Sequence, residues 1–414
     1  MNPVIIIPTY VGGRQRSLSD KVVGTYDHVT PITHQGELPR CLDSLRSQSV
    51  RAPVMLLVVS DDNVDDEAGD KIRGIAEGYS RSLNILVVDA PILARLHNRM
   101  AALGADQMIE GIGLRGYGAI RNLGLLAADL LGFTEIVFID DDEIVSTPDF
   151  IDRALYGLGR LSPNGVPILV KSGYYTDTNG SWRSLQNSAW YNRFWGLREA
   201  FNQWMGNAMA SARLSTSNIL NGGCMALHRE AFIRIAFDAW ISRGEDQDYL
   251  LNILMYGGRV WFDNEWSVIH RPPPEFAEGQ RFRQDIYRWT YEIRKLEYAR
   301  SQIDLLQIQP STLDPYPGPF LEKSVTRRAM LTALLRTIGR PRDRQGYLRA
   351  AMAAPKDAQD YALEFCSRYF EFQRLWASFV AEMETDPESR QILEASLLEP
   401  SQSGEPVQSN EPFS

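Results

Sequence analysis

Glu135-Ile136-Val137-Phe138-Ile139-Asp140-Asp141-Asp142-Glu143 is the stretch on which the reading of this chain turns. Its first half is short, apolar and rich in β-branched and aromatic residues, which predicts a buried strand rather than a helix. Four carboxylates then follow without a break. At a strand end they repel one another unless a cation or a set of hydrogen-bond donors compensates. The carboxyl ends of strands in open α/β sheets are also where ligands sit.

Working outward, Val4 to Ile7 reads as a second apolar strand, stopped by Pro8-Thr9-Tyr10, and Val54 to Val59 as a third, ending in Ser60-Asp61-Asp62-Asn63. Between them, Leu38 to Leu45 has helical spacing, with Pro39 suited to a first turn. This βαβ unit implies a parallel sheet with a right-handed crossover. Residues 12–36 form a long polar insertion of the kind that is functional or disordered. A helix around 66–81 and a strand at 83–88 follow, then a stretch without clear periodicity at 91–113. Gly116-Tyr117-Gly118-Ala119-Ile120-Arg121-Asn122-Leu123-Gly124 opens a helix that leads into the acidic strand. Alternation of strand and helix over this length predicts an α/β fold.

Further along, 166–172 reads as a strand, 182–210 is rich in tryptophan, and Asn221-Gly222-Gly223 forms a loop before a helix at 229–240. Gly244-Glu245-Asp246 starts another helix, and strands at 259–262 and 268–270 bring the chain to His270. From 281 onward Phe282, Ile286, Trp289, Ile293 and Leu296 recur at three- and four-residue steps, the mark of an amphipathic helix. A Pro-rich connection at 310–320 precedes helical patterns at 322–338 and 356–384. These features divide the chain into an α/β unit over 1–280, a helical region over 281–398 and a polar, disordered tail over 399–414.

The bulk numbers narrow the function. A net charge of −9 in 414 residues argues against a dedicated nucleic-acid binder. Cys41, Cys224 and Cys366 are widely spaced and fit a reducing compartment. The N-terminal residues lack a signal-peptide pattern, and no apolar run approaches the roughly 20 residues of a transmembrane helix. A soluble, cytoplasmic protein is the expectation. The arginines at 327, 328, 336, 340, 342 and 344 read as a solvated helix face, with peripheral contact to anionic lipid at a membrane surface or to a phosphorylated acceptor as the alternatives.

Taken together, these motifs resemble those of the metal-dependent glycosyltransferases of the GT-A fold, above all the large family 2, over roughly residues 3–275. The match lies in their order: Pro8-Thr9-Tyr10, the pair Asp61-Asp62, Ala119-Ile120-Arg121-Asn122-Leu123-Gly124 with one residue inserted, Asp140 to Asp142, Gly222-Gly223, and Glu245-Asp246. The resemblance implies a Rossmann-like, mostly parallel mixed sheet flanked by helices. It implies transfer of a sugar from a UDP- or GDP-sugar to a hydroxyl of a sugar, small-molecule or lipid-linked acceptor.

By that resemblance Pro8, Thr9, Tyr10 and Asp62 hold base and ribose, and Arg115 and Arg121 face the diphosphate. Asp140 and Asp141 contact the donor. Asp142, with Asp140 and His270, holds Mn²⁺ or Mg²⁺, hard cations that combine one or two carboxylates with substrate phosphates. Asn221, Gly222 and Gly223 line the acceptor side, where Glu245 binds acceptor hydroxyls and Asp246 takes the proton of the attacking one.

Each residue also has a plainer reading. Asp140 to Asp142 alone could be a solvated turn, Pro8 and Asp62 ordinary turn chemistry, and Glu245-Asp246 a favourable pair at a helix N-terminus. A lone histidine such as His270 is more often structural. The Asp-x-Asp, the late histidine and the helical extension also resemble retaining, small-acceptor enzymes of the mannosylglycerate synthase kind, although the Glu-Asp pair favours inversion. A nucleotide-sugar-binding protein without turnover is the alternative from another class. A homodimer through the C-terminal helices is a further expectation.

Overall fold

The computed structural model describes residues 1–13, 26, 29–60, 64–184, 189–271, 278–340 and 343–398. Among these, ten strands form one mixed sheet flanked by helices: β1 (Pro3–Gly12), β2 (Thr30–Pro31), β3 (Val54–Ser60), β4 (Ile85–Val88), β5 (Glu135–Phe138), β6 (Glu143–Ile144), β7 (Val170–Thr176), β8 (Leu214–Thr216), β9 (Met225–His228) and β10 (Trp261–His270). Their order is β4-β3-β1-β5-β9-β7-β10-β6, with β2 on β1 and β8 on β10. β4, β3, β1 and β5 run parallel. β9 runs antiparallel between β5 and β7.

Both faces of the parallel half are covered, so its strands are continuously apolar. Val4, Ile6, Met55 and Leu57 face one side, over the helix Tyr117–Leu130 and the C-terminal helices. Ile5, Ile7, Leu56 and Val58 face the other, over the helices Leu38–Leu45, Asp65–Glu77 and Phe150–Leu155.

β1 runs on past Pro8, which the sequence reading placed in a terminating turn. Ile5 N donates to Pro53 on the β3 side, while the carbonyl of Ile6 receives Ile139 N on the β5 side. Pro8, in phase with Ile6, aims its missing N–H where pairing with β5 has ended at Ile6. The proline therefore removes no ladder bond.

Two other expectations change. The helix expected at 229–240 is only Arg229–Phe232. Beyond it, Ala236 N donates to Gln373 Oε1 and Phe237 N to Asn122 Oδ1, each at 2.7 Å. Side chains from distant elements thus satisfy backbone groups a helix would have used. The two strands expected at 259–262 and 268–270 are one strand, β10, whose pairing with β7 shifts register between Phe262 and Ser267.

The helical region consists of Glu278–Ala299, Ser324–Gly339, Arg344–Ala353, Asp357–Glu384 and Pro387–Glu394. Fully buried Lys295 fastens it to the sheet unit, its Nζ lying 2.8 Å from Asp238 Oδ2 and 2.7 Å from Asp248 Oδ2. At the far end Val87 N donates to the carbonyl of Ser396, and Leu398 N to that of Ile85. The expected tail 399–414 lies outside the described residues. No helix among those described is long and apolar enough to cross a membrane.

Candidate active site

The acidic strand does not simply end. After β5 the chain turns through Asp140, Asp141 and Asp142 and returns as β6, antiparallel to the end of β10, with Glu143 opposite His270. That return sets His270 Nε2 3.5 Å from Asp142 Oδ2. Arg271 N donates to the carbonyl of Asp142, fixing the pairing.

Arg121 joins this turn to the start of the helix Glu245–Met255. Its Nη2 lies 3.1 Å from Asp140 Oδ1 and its Nε 3.2 Å from Glu245 Oε1. The guanidinium rests over the Phe138 ring at 4.7 Å, and its Nη1 is buried without a hydrogen-bond partner. Burial works against its charge, but Asp140 and Glu245 hold its proton more firmly than usual. Asp246, next in the helix, accepts Gly222 N at Oδ2 (2.9 Å) and Gln247 N at Oδ1 (2.7 Å).

The two glycines of the loop have separate reasons. A Cβ at Gly222 would sit 2.9 Å from Arg121 Nη2, and one at Gly223 would overlap Glu143 Oε1. Asn221 braces the loop, donating from its amide to the carbonyl of Gly173 at 2.7 Å.

Carboxyl groups are crowded here, and the crowding shows in their protonation. Burial first, then neighbouring carboxylates, pushes Asp141 up to about 8 and Glu143 well above the carboxylate range. Burial also raises Asp140, against the pull of Arg121. Glu245 is raised by burial and by Asp246. Thr9 Oγ1 donates to Asp141 Oδ2 at 2.7 Å, and Glu143 Oε1 is buried with no partner.

Among the described residues no three His, Cys, Asp or Glu side chains form a metal cage. What converges is the Asp142 carboxylate and the His270 imidazole, beside Glu143, whose Oε2 accepts Asp140 N at 3.0 Å and whose Oε1 has no partner. Mg²⁺ and Mn²⁺ are held chiefly by oxygen donors such as the Asp142 carboxylate, and Mg²⁺ in particular keeps much of its shell for phosphates and water. The Asp142 carboxylate fits such an ion, which would draw the rest of its shell from phosphate and water.

Other expected residues lie differently. Arg115 is exposed and pairs with Asp65 at 3.2 Å. Tyr10 packs at a tilt within a tyrosine cluster, its ring 4.1 Å from Tyr26 and 6.3 Å from Tyr117. Asp62 lies outside the described residues.

Sequence reasoning missed Tyr175. Its hydroxyl accepts Gly223 N at 2.8 Å and its ring lies 5.2 Å from His270. Burial, then Glu143, Asp140 and Asp246, raises its pKa well above the usual value. The alternation of β7 was the one available signal, and the predicted strand stopped short at 172.

No protein-family model matches the chain, and no curated protein matches it in sequence. Among solved structures it is similar to the mannosyltransferase PcManGT from Pyrobaculum calidifontis in complex with GDP-Man and Mn²⁺. Identity there is 14%, with 92% of this chain and 86% of that chain covered and a TM-score of 0.46. It is also similar to a mycobacterial protein (15% identity, 69% and 74% covered, TM-score 0.36). A third is glucosyl-3-phosphoglycerate synthase from Mycobacterium tuberculosis in complex with Mg²⁺ and uridine diphosphate (15% identity, 66% and 72% covered, TM-score 0.31).

Proposed function

We propose that this protein is a divalent-metal-dependent glycosyltransferase that moves a sugar from a UDP- or GDP-sugar to an acceptor hydroxyl with inversion at the anomeric carbon. The observation that carries the reading is the meeting, through Arg121, of the acidic turn and the Glu245-Asp246 helix start. Arg121 reaches Asp140 and Glu245, which are two residues and one residue away from the ligand and base read here, Asp142 and Asp246, and that nearness supports the reading.

Asp142 and His270 would hold Mn²⁺ or Mg²⁺, which when bound offsets charge on the departing diphosphate. Arg121 keeps Asp140 and Glu245 in place, and Thr9 does the same for Asp141. Asp246 takes the proton of the acceptor hydroxyl as its oxygen forms the new bond to the anomeric carbon. The bond from that carbon to the diphosphate oxygen breaks, and its electron pair leaves with the nucleoside diphosphate. The backbone N–H groups of Gly222 and Gln247 occupy one lone pair on each Asp246 oxygen and leave others for the proton.

The test is Asp246→Asn assayed with a panel of UDP- and GDP-sugars. Transfer should fall by roughly 10²–10⁴-fold while donor binding is kept. Full turnover in this variant would remove Asp246 as the base. Proton NMR of the product's anomeric configuration distinguishes inversion from retention.

A further inference from the structure

A second feature lies next to the same helix start. Between Trp195, the helix beginning at Leu197 and the first three C-terminal helices is a cavity of about 360 Å³. Six arginines line it against three carboxylates.

Two of the arginines are only partly compensated. Arg243 pairs with Asp285 at 3.0 Å and Arg340 with Glu278. Arg288 meets Glu292 at 3.1 Å through Nε, yet its Nη2 is buried with no hydrogen-bond partner. Arg336 is held by neutral groups. Its Nε donates to Asn192 Oδ1 at 2.9 Å, and its guanidinium lies over the Phe282 ring at 4.3 Å. Burial lowers its pKa, the sign of a charge held away from water. One guanidinium with an unpartnered nitrogen and another hydrogen-bonded to a neutral amide, in a half-enclosed cavity with aromatic walls, are chemistry for an anion, because Arg pairs with phosphate and carboxylate oxygens in a fixed fork.

The cavity adjoins the proposed base. Arg243 lies three residues before Asp246, and Gly244 between them has φ +70°. A Cβ on Gly244 would overlap the Arg288 guanidinium, so the glycine lets this arginine press against the helix start. The charge of Asp246 is felt by both Arg288 and Tyr316 in the cavity wall. The volume suits a sugar-sized molecule and is at the small end of ligand sites.

We infer that this cavity binds the acceptor, and that the acceptor is a small anionic molecule whose phosphate or carboxylate is seated on Arg288, Arg336 and Arg340. The C-terminal helices supply the specificity of the reaction, and the sheet unit supplies its chemistry. The inference rests on the transferase reading for the word acceptor, but the anion site stands or falls separately.

Calorimetry on the full chain at low salt tests it with glucose 6-phosphate, glucuronate and glucose, alongside UDP and GDP with Mn²⁺. At least one of the two anionic sugars should bind and glucose should not; which one binds identifies the anion. Arg336→Gln and, separately, Arg340→Gln should weaken that binding about tenfold or more, leaving nucleotide binding unchanged. Equal binding of glucose, undiminished binding in both variants, or displacement of the anionic sugar by UDP with Mn²⁺ would overturn the assignment. Failure of nucleotide binding with the anion site intact would remove the transferase reading and leave the cavity's chemistry standing.

Discussion

Asp142 and His270 face each other, Oδ2 to Nε2 at 3.5 Å, because a two-residue strand carries the acidic turn back against the end of β10. If this pair holds the cation, Asp142→Ala and His270→Ala should each abolish the extra thermal stabilisation that Mn²⁺ adds to a bound nucleotide-sugar. Groups that merely support metal ligands already cost 10–100-fold when removed, so loss of a ligand should weaken metal-dependent donor binding by roughly tenfold or more. Thermal-shift titrations with and without Mn²⁺ read this directly. An unchanged metal dependence in both variants would sink the pair as ligands.

Arg121 is 6% exposed at its side chain and Glu245 7%. Removing one partner of a buried pair leaves the other charge uncompensated, at a cost of about 3–5 kcal/mol. Arg121→Met should therefore lower stability by that order in urea unfolding. Adding Glu245→Gln should restore part of the loss, since the stranded carboxylate is gone. Additive losses in the double variant would mean that the two side chains do not depend on each other.

Gly223→Ala brings a methyl group onto the Glu143 carboxylate. Overpacking of this kind costs typically about 1–3 kcal/mol, and here it also pushes on the turn that carries Asp142. Lower stability together with weaker donor binding is expected, and Glu143→Ala in the same chain should relieve the stability part. A Gly223→Ala protein that melts and binds like the parent would contradict the close packing.

Asp386 caps the last helix and is clamped by Arg99, whose Nε lies 2.9 Å from Oδ2. Arg99, then the hydroxyl and N–H of Ser389, hold its folded-state pKa well below the usual value. A depressed carboxylate stabilises the fold fully above its unfolded pKa of about 4 and loses that contribution as pH falls toward the folded value. Urea midpoints for Asp386→Asn should lie below the parent's at pH 6 and converge with them toward pH 2. Asp386→Ala should lose about 1 kcal/mol more, the worth of the cap. A gap between parent and Asp386→Asn that is constant with pH would deny the ionic contribution.

Much of the scaffold was legible because local pattern and tertiary role agree there. The runs at Val4, Val54 and Glu135 are apolar on both faces and leave no choice but buried parallel strands. Asp140 to Asp142 and Glu245-Asp246 stood out because charge at element ends is hard to place otherwise. What could not be read is pairing. Nothing local to Arg121 says that its partners are Asp140 and Glu245 rather than a ligand, since the first lies 19 residues away and the second 124. The helix Ala90–Ala102, capped by Asp89 at Ile92 N, lay in the stretch without clear periodicity. Only three of its residues, Ile92, Leu96 and Met100, are buried, too thin a stripe to register. The arginine cavity was invisible for the same reason: its walls come from segments that look like a solvated basic face until the helices fold across one another.

The hydrogen bonds of Ser396 and Leu398 to β4 bear on what holds such a cavity's wall in place. The helical run that walls it starts beside the active site and finishes stitched to the opposite edge of the sheet, with Lys295 riveting it in between. A strap pinned at its middle and at its tail makes the cavity's wall part of the sheet's own framework, so loosening Lys295 or the Ser396 contact should be felt in the cavity as well as in the fold.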